Sequence, residues 1–347
     1  GSHSAPARPY PRSPRHASLM VLPWRPEHGR VVRMFCSISY PDGRPFICDT
    51  RSLLKKAISD AESAGISFAF GPEMEFYLFQ LDAEGQPTKT PYDNAGYMDI
   101  APEDKCENVR REICLLLEQM GIYPESSHHE EGPGQNEIDF RYSDPLTAAD
   151  NTLTFQAVVK TVAERNGLYA DFSPKPLRHQ PGNGFHINIS VKGGNCEDPL
   201  SHMIAGILAH ISELTVFLNP TVASYERFGG PKAPEYISWS NQNRSQLIRV
   251  PAAVDAYRRA ELRSPDPTTN PYLAFALLIY AGLDGIQQKL PLPAPTDLNL
   301  FTASADILAG LQRLPLTLRE AATLAANSSF VSQYLPKTIV QTYYNQR

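Results

Sequence analysis

An α+β fold is what this 347-residue sequence predicts, and three observations carry the expectation. Strand-like and helix-like segments alternate along most of the chain, each with its own apolar period. Four of the strand-like segments, GPEMEFYLF, NEIDFRYS, GFHINISV and RRAELRS, put polar or charged side chains on one face and mostly apolar ones on the other. Two helix-like segments, PLSHMIAGILAHISELTVFLNP and NPYLAFALLIYAGLDGI, are apolar enough to be largely buried. The length allows a large core, in one big domain or two smaller ones.

Taken in order, GSHS (1–4) has the form of a remnant of tag cleavage, and APARPYPRSPRHAS (5–18) is Pro- and Arg-rich. With little apolar surface to bury, residues 1–18 are expected to stay disordered. The segment VLPWRPEHGRVVRMFCSISYPDGRPF is expected to form a hairpin: VVRMFCSISY, a PDG turn at 41–43, then PFIC. RSLLKKAISDAESAG repeats apolar positions at Leu54, Ala57, Ile58 and Ala61 and should stop at Gly65. Ser67 to Phe79 follows as a strand, with Pro72 near its start. ENVRREICLLLEQMG is a second helix with Gly121 as its stop, and PLTAADNTLTFQAVVKTVAERNG a third. After the two apolar helices, Thr317 and Glu320 make a capping box for a final helix, TLREAATLAA.

A net charge of −5 argues against general nucleic-acid binding. Five cysteines (Cys36, Cys48, Cys106, Cys114, Cys196) include no CxxC pair, which fits a reducing compartment. No apolar run is expected to reach the roughly 18 residues of a membrane span. A soluble, cytoplasmic protein is the expectation.

The strands pose a chemical question. In GPEMEFYLF, Glu73 and Glu75 share a face with Tyr77 and Phe79, opposite Met74, Phe76 and Leu78. The two carboxylates then stand roughly 6–7 Å apart and need raised pKa values or a cation. Glu137, Asp139 and Arg141 share a face in the second strand, His186, Asn188 and Ser190 in the third, and Arg259, Glu261 and Arg263 in the fourth. ESSHHEEGPGQNE adds Glu125, His128, His129, Glu130 and Glu131. A solvated outer face of an antiparallel sheet is one reading, and the commonest fate of such alternation. Yet lysine is absent from all four segments. The simpler resolution is one concave site in which carboxylates and a histidine hold Mg²⁺ or Mn²⁺, with the arginines binding phosphate or carboxylate. There is no GxxxxGK[ST] loop and no GxGxxG after a strand, so any nucleotide must be held by metals and side chains.

In order along the chain, GPEMEFYLF, ESSHHEEGPGQNEIDF, GNGFHINIS, NPTVASYERFGGPKAP, NQNRSQLIRVP and RRAELRSPD resemble the glutamine synthetase family, bacterial type I-like. The resemblance implies an antiparallel sheet curved into an open barrel with flanking helices (51–347), preceded by a partial N-terminal β-grasp module (19–50). It implies ATP, Mg²⁺ or Mn²⁺, glutamate, and ammonia or a small amine as ligands, and a ring-type homo-oligomer. Carried over by motif, Glu75, Glu130 and Glu137 match ligands of one metal, and Glu73, His186 and Glu261 ligands of a second. Arg244, Arg249 and Arg259 match phosphate-contacting positions, and Arg227, Arg263 and Gly182 positions that hold the amino-acid substrate. Glu125, Asn188 and Ser190, with Arg249 and Arg259, fall where the family contacts the nucleotide.

The sequence also departs from the family. GGPKAP puts Lys232 where the family's catalytic flap carries a proton-accepting glutamate, and Glu235 is the nearest replacement. Pro181 replaces the asparagine that usually precedes the glycine at 182, and Phe301 stands where adenylylated members have a tyrosine. Two classes stay open: a γ-glutamyl ligase with an altered nucleophile pocket, or a catalytically impaired or non-catalytic homologue that binds nucleotide or metabolite or acts as a structural partner.

Overall fold

The structure, a computed structural model, describes residues 10–11, 19–25, 29–194, 196–230, 232–253 and 258–345. Among the described residues, four two-residue strands come first: β1 (Tyr10–Pro11), β2 (Met20–Val21), β3 (Val32–Arg33) and β4 (Ile38–Ser39). β1 pairs with β4 and β2 with β3. The long hairpin expected here is broken into these short pieces. Its PDG turn does form: Tyr40 N–H donates to Arg44 O at 2.8 Å, and Gly43 takes φ 86°. Within the tail expected to be disordered, Tyr10 and Pro11 pair with β4; the rest of residues 1–18 lies outside the described residues.

The body begins with α1 (Thr50–Ser63), β5 (Ile66–Leu81), β6 (Pro87–Pro91), α2 (Glu107–Gln119), β7 (Pro124–His129), β8 (Gln135–Phe140) and α3 (Pro145–Arg165). It continues with β9 (Leu168–Asp171), β10 (Phe185–Gly193), α4 (Pro199–Leu218), α5 (Val222–Tyr225), β11 (Trp239–Asn241), β12 (Ile248–Val250) and β13 (Ala260–Leu262). The helices α6 (Pro271–Gln288), α7 (Ala305–Ala309), α8 (Leu318–Asn327), α9 (Ser329–Tyr334) and α10 (Lys337–Asn345) complete it.

Among the described residues, nine strands form one open sheet in the order β11-β12-β13-β10-β5-β8-β7, with β6 and β9 also paired to β5. Every pairing is antiparallel except β11 with β12 at one edge. The sixteen-residue β5 is the spine, and its even-numbered side chains Ile66, Phe68, Phe70, Met74, Phe76 and Leu78 join the core shared with the helices. Phe70 stacks on Phe275 of α6 at 4.3 Å, and Phe76 meets Phe155 of α3 edge-on at 6.2 Å. The odd-numbered side chains, Glu73 and Glu75 among them, are left to the opposite face, and that parity positions the site.

Helix ends follow local chemistry. Gly65 and Gly121 take φ 71° and 79° just past α1 and α2, as the stops require. Asp144 caps α3 by accepting the Leu146 and Thr147 N–H groups. Thr317 caps α8 by accepting Glu320 N–H at 3.1 Å, but Glu320 reaches back to Leu316 N–H instead of Thr317. α8 is also not the final helix, because α9 and α10 follow it.

α4 corrects the membrane expectation: its 20 residues are long and apolar enough to cross a bilayer by length and composition. Its apolarity has another use here, because it packs against α6, α8 and β10. A Cβ at Gly206 would lie 2.1 Å from Ala281 O, and one at Gly285 2.1 Å from His202 O, so these two glycines let α4 and α6 cross backbone to backbone.

Candidate metal and nucleotide site

Cross-strand register assembles the polar face. On β5, Glu73 lies opposite His186 of β10 on one side and Asp139 of β8 on the other. Two residues along, Glu75 lies opposite Glu137, which in turn lies opposite His128 of β7. Glu261 of β13 sits beside Asn188, and Arg249 of β12 beside Glu261.

Three groups have ligand atoms within 4.8 Å of one another: Glu73, His186 and Glu261; Glu75, Glu137 and His186; and His128, Glu130 and Glu137. Glu73, Glu137 and Asp139 form a fourth. The two glutamates of β5 therefore enter different groups, with His186 shared. His186 Nδ1 is 3.5 Å from Glu73 Oε2 and 3.8 Å from Glu261 Oε1.

The electrostatics fit a cation. Glu75 Oε1, Asp139 Oδ1 and His186 Nε2 are buried without a hydrogen-bond partner among the described residues. Burial and the Glu130 charge push the Glu75 carboxyl up to about 7. Burial and neighbouring carboxylates drive Glu137 and Asp139 well above the ordinary range. Burial and the nearby Arg263 charge drive His186 well below its ordinary value, keeping it neutral, the form that ligates metals. Carboxylate oxygens with one imidazole are the donor set of a hard divalent ion.

Glu130 is held differently. Burial raises its pKa, but the His128 hydrogen bond and the Lys232 charge outweigh it and hold the group at about 2. Its Oε1 faces His128 Nε2 at 3.2 Å, and its Oε2 accepts the Glu131 amide at 3.0 Å and pairs with Lys232 Nζ. Beneath it lies a knot the sequence did not reveal. His129, 0% exposed, puts Nδ1 2.7 Å from Glu130 O and Nε2 2.9 Å from Asp93 Oδ1. Asp93 also accepts the Gly134 and Lys105 N–H groups, and Asp104 is paired with Arg110 at 2.6 Å. Asp93, Asp104, Cys106 and His129 lie close enough to hold an ion, but their polar atoms are already bonded to protein groups. Asp93 and Tyr97 sit in an aperiodic loop, PYDNAGYMD, which offered no signal beyond a turn.

A cavity of about 380 Å³ adjoins Glu73 and Asp139. Glu125, Asn188, Ser190 and Arg259, the nucleotide candidates, line it together. Arg259 Nε donates to Asn188 Oδ1 at 2.9 Å, and Asn188 Nδ2 donates to Glu73 Oε1 at 2.6 Å, a chain from the cavity to a carboxylate group. Arg249 and Arg263 both pair with Glu261, and Arg263 Nε also donates to Arg244 O at 3.1 Å. Arg244 reaches Tyr97 OH at 3.4 Å. Arg227 is buried with its Nε unpartnered, and Gly182 packs on it: a Cβ there would lie 2.7 Å from Arg227 Cγ.

Lys232 joins the carboxylates, 3.5 Å from Glu131 as well as paired with Glu130, whereas Glu235 turns to Arg313 at 2.7 Å and enters none of the four groups. Phe301 is half-exposed, its N–H on Asn299 Oδ1 at 3.0 Å.

Known proteins resemble this chain in sequence and fold. A family described as "Glutamine synthetase, catalytic domain" matches residues 47–347. Glutamine synthetase of Clostridium saccharobutylicum is 44% identical over 345 residues, covering 95% of this chain and 78% of that protein. The enzyme of that name from Methanosarcina mazei is 46% identical over 342 residues, covering 94% and 76%. The solved "GmaS/ADP complex" superposes with a TM-score of 0.87 at 30% identity, covering 99% of this chain and 82% of that one. A Plasmodium falciparum glutamine synthetase, at 22% identity, gives a TM-score of 0.82 over 97% and 82% of the two chains, a likeness of fold. The chain belongs to the glutamine synthetase family.

Proposed function

We propose that this carbon–nitrogen ligase uses ATP and Mg²⁺ or Mn²⁺ to join the γ-carboxylate of glutamate to ammonia or a small amine through γ-glutamyl phosphate. The observation that carries the reading is the gathering of six acidic and imidazole ligands around β5 next to a cavity lined by Glu125, Asn188, Ser190 and Arg259. Glu75, Glu130 and Glu137 would hold one ion, and Glu73, His186 and Glu261 a second. When bound, such ions neutralise charge on the acid and on the nucleotide phosphates.

The chain's own residues do the rest. Arg244, Arg249 and Arg259 present guanidinium donors where charge grows on the transferring phosphoryl group. Arg227, with its spare buried Nε, and Arg263 are suited to bind the carboxylates of glutamate. Gly182 keeps the space beside Arg227 open. Ring-type assembly of identical chains, with residues 19–50 as part of a β-grasp module, and work in the cytoplasm complete the proposal.

One observation favours the second reading, a homologue impaired in amide formation: Lys232 lies on Glu130 and Glu235 on Arg313, so neither offers a free base. Phosphate release from ATP, measured with glutamate alone and with glutamate plus ammonia or each of a panel of amines, separates the two. Amine-dependent release with a γ-glutamyl amide as product supports the ligase; release without amide, or none, supports the impaired homologue.

A further inference from the structure

We propose that Lys232 is a tethered cation that competes with a divalent ion for Glu130, so that metal binding and seating of the Lys232 side chain oppose one another. The inference rests on Glu130 as a metal ligand and deepens that reading by giving the site a regulator.

Lys232 is seated like a bound ligand. Its Nζ pairs with Glu130 Oε2, stands 3.5 Å from Glu131 Oε1, and lies 4.4 Å from the centroid of the Tyr97 ring. Only 18% of the side chain is exposed. Two carboxylates and an aromatic face make a seat for a monovalent cation. The backbone at Lys232 has φ 64°, a left-handed conformation that a non-glycine residue adopts when its surroundings fix it. The loop closes on itself through Ala233 N–H to Gly230 O at 3.2 Å and Gly229 N–H to Ala233 O at 3.0 Å.

The contact and a metal at Glu130 claim the same oxygen. Oε2 already accepts the Glu131 amide, and Oε1 faces His128, so a divalent ion gains a good ligand there by displacing the ammonium. An ammonium left a few ångströms from a divalent ion repels it. Arg249 and Arg263, which neutralise Glu261 in the other group, come from a sheet strand and the residue after one; Lys232 comes from a loop and can leave. The coupling is reciprocal: Lys232 weakens the ion, and the ion unseats Lys232.

The test is Mn²⁺ binding to the full chain, followed by electron paramagnetic resonance of free Mn²⁺, for wild type, Lys232→Met and Lys232→Arg. Lys232→Met keeps the stem against Tyr97 and should tighten Mn²⁺ on the order of tenfold. Lys232→Arg keeps the charge and should stay within about threefold of wild type. In a second arm on wild type alone, which needs no variant to fold, Mn²⁺ should speed tryptic cleavage of the Lys232–Ala233 bond. Equal Mn²⁺ affinity of wild type and Lys232→Met, or cleavage indifferent to Mn²⁺, overturns the competition while leaving the metal reading intact. Failure of all three proteins to bind Mn²⁺ overturns both.

Discussion

Asp93→Asn isolates the support under Glu130. His129 and Asp93 form an ion pair whose side chains are both 0% exposed, with His129 Nδ1 on the Glu130 carbonyl. Burial disfavours a charged imidazole, but the Asp93 hydrogen bond prevails and raises the His129 pKa. Removing one partner of a buried pair costs about 3–5 kcal/mol, because the other is left uncompensated. Asparagine keeps an acceptor for the Gly134 amide, which places the loss near the low end, about 3 kcal/mol. Urea unfolding of wild type, Asp93→Asn, His129→Gln and the double variant measures it. The double variant should be less destabilised than the sum of the singles by about 1–3 kcal/mol. Mn²⁺ affinity should fall with Asp93→Asn, because the Glu130 backbone loses its anchor. Loss of under about 0.5 kcal/mol on Asp93→Asn, or strict additivity, refutes the argument.

Other perturbations probe other parts. His210 lies between Glu213 (2.6 Å) and Asp284 (2.9 Å) and stacks on Phe330 of α9. Burial opposes its charge, but the two carboxylates raise its pKa, so the stability it contributes is full below about 6.5, its unfolded value, and is lost as pH rises through the higher folded value. Thermal midpoints should therefore fall between pH 6 and 8 more in wild type than in His210→Phe; parallel profiles would contradict this. Gly206→Val drives a side chain into the Ala281 carbonyl and should destabilise by about 1–3 kcal/mol or more in urea; a neutral effect would disprove the close crossing of α4 and α6. Lys232→Glu should raise ammonia-dependent glutamine formation more than ATP binding, while Glu235→Ala, which removes one partner of Arg313 and leaves it on Tyr236, should leave activity within a few-fold. If Glu235→Ala is inactive and Lys232→Glu changes nothing, Glu235 is the working base and the placement of the two is misread.

The legible parts of this fold were the periodic ones. Parity alone places Glu73 and Glu75 on the face opposite Met74 and Phe76, and β5 keeps it from Ile66 to Leu78, before the register shift between Phe79 and Leu81. α2, at Glu107–Gln119, stops where Gly121 indicated. The four polar strands converge because β10, β5 and β8 are neighbours, an arrangement that alternation within each strand could suggest but not fix. What escaped had no period to read. Asp93 and Tyr97 lie in a loop held by side-chain-to-backbone bonds, the N-terminal strands are two residues long, and α9 is a six-residue helix close behind α8. The apolar sequence of α4 fits a core helix, and its packing against α6 agrees, although length and composition alone also fit a bilayer.

The most direct test of the central claim is the Mn²⁺ stoichiometry of the full chain by equilibrium dialysis, with Glu75→Ala and Glu261→Ala beside wild type. Because Glu75 and Glu261 belong to different groups around β5, the account predicts two ions per wild-type chain and one per chain in each variant. Wild type that binds no Mn²⁺, or variants that both still bind two, would contradict it.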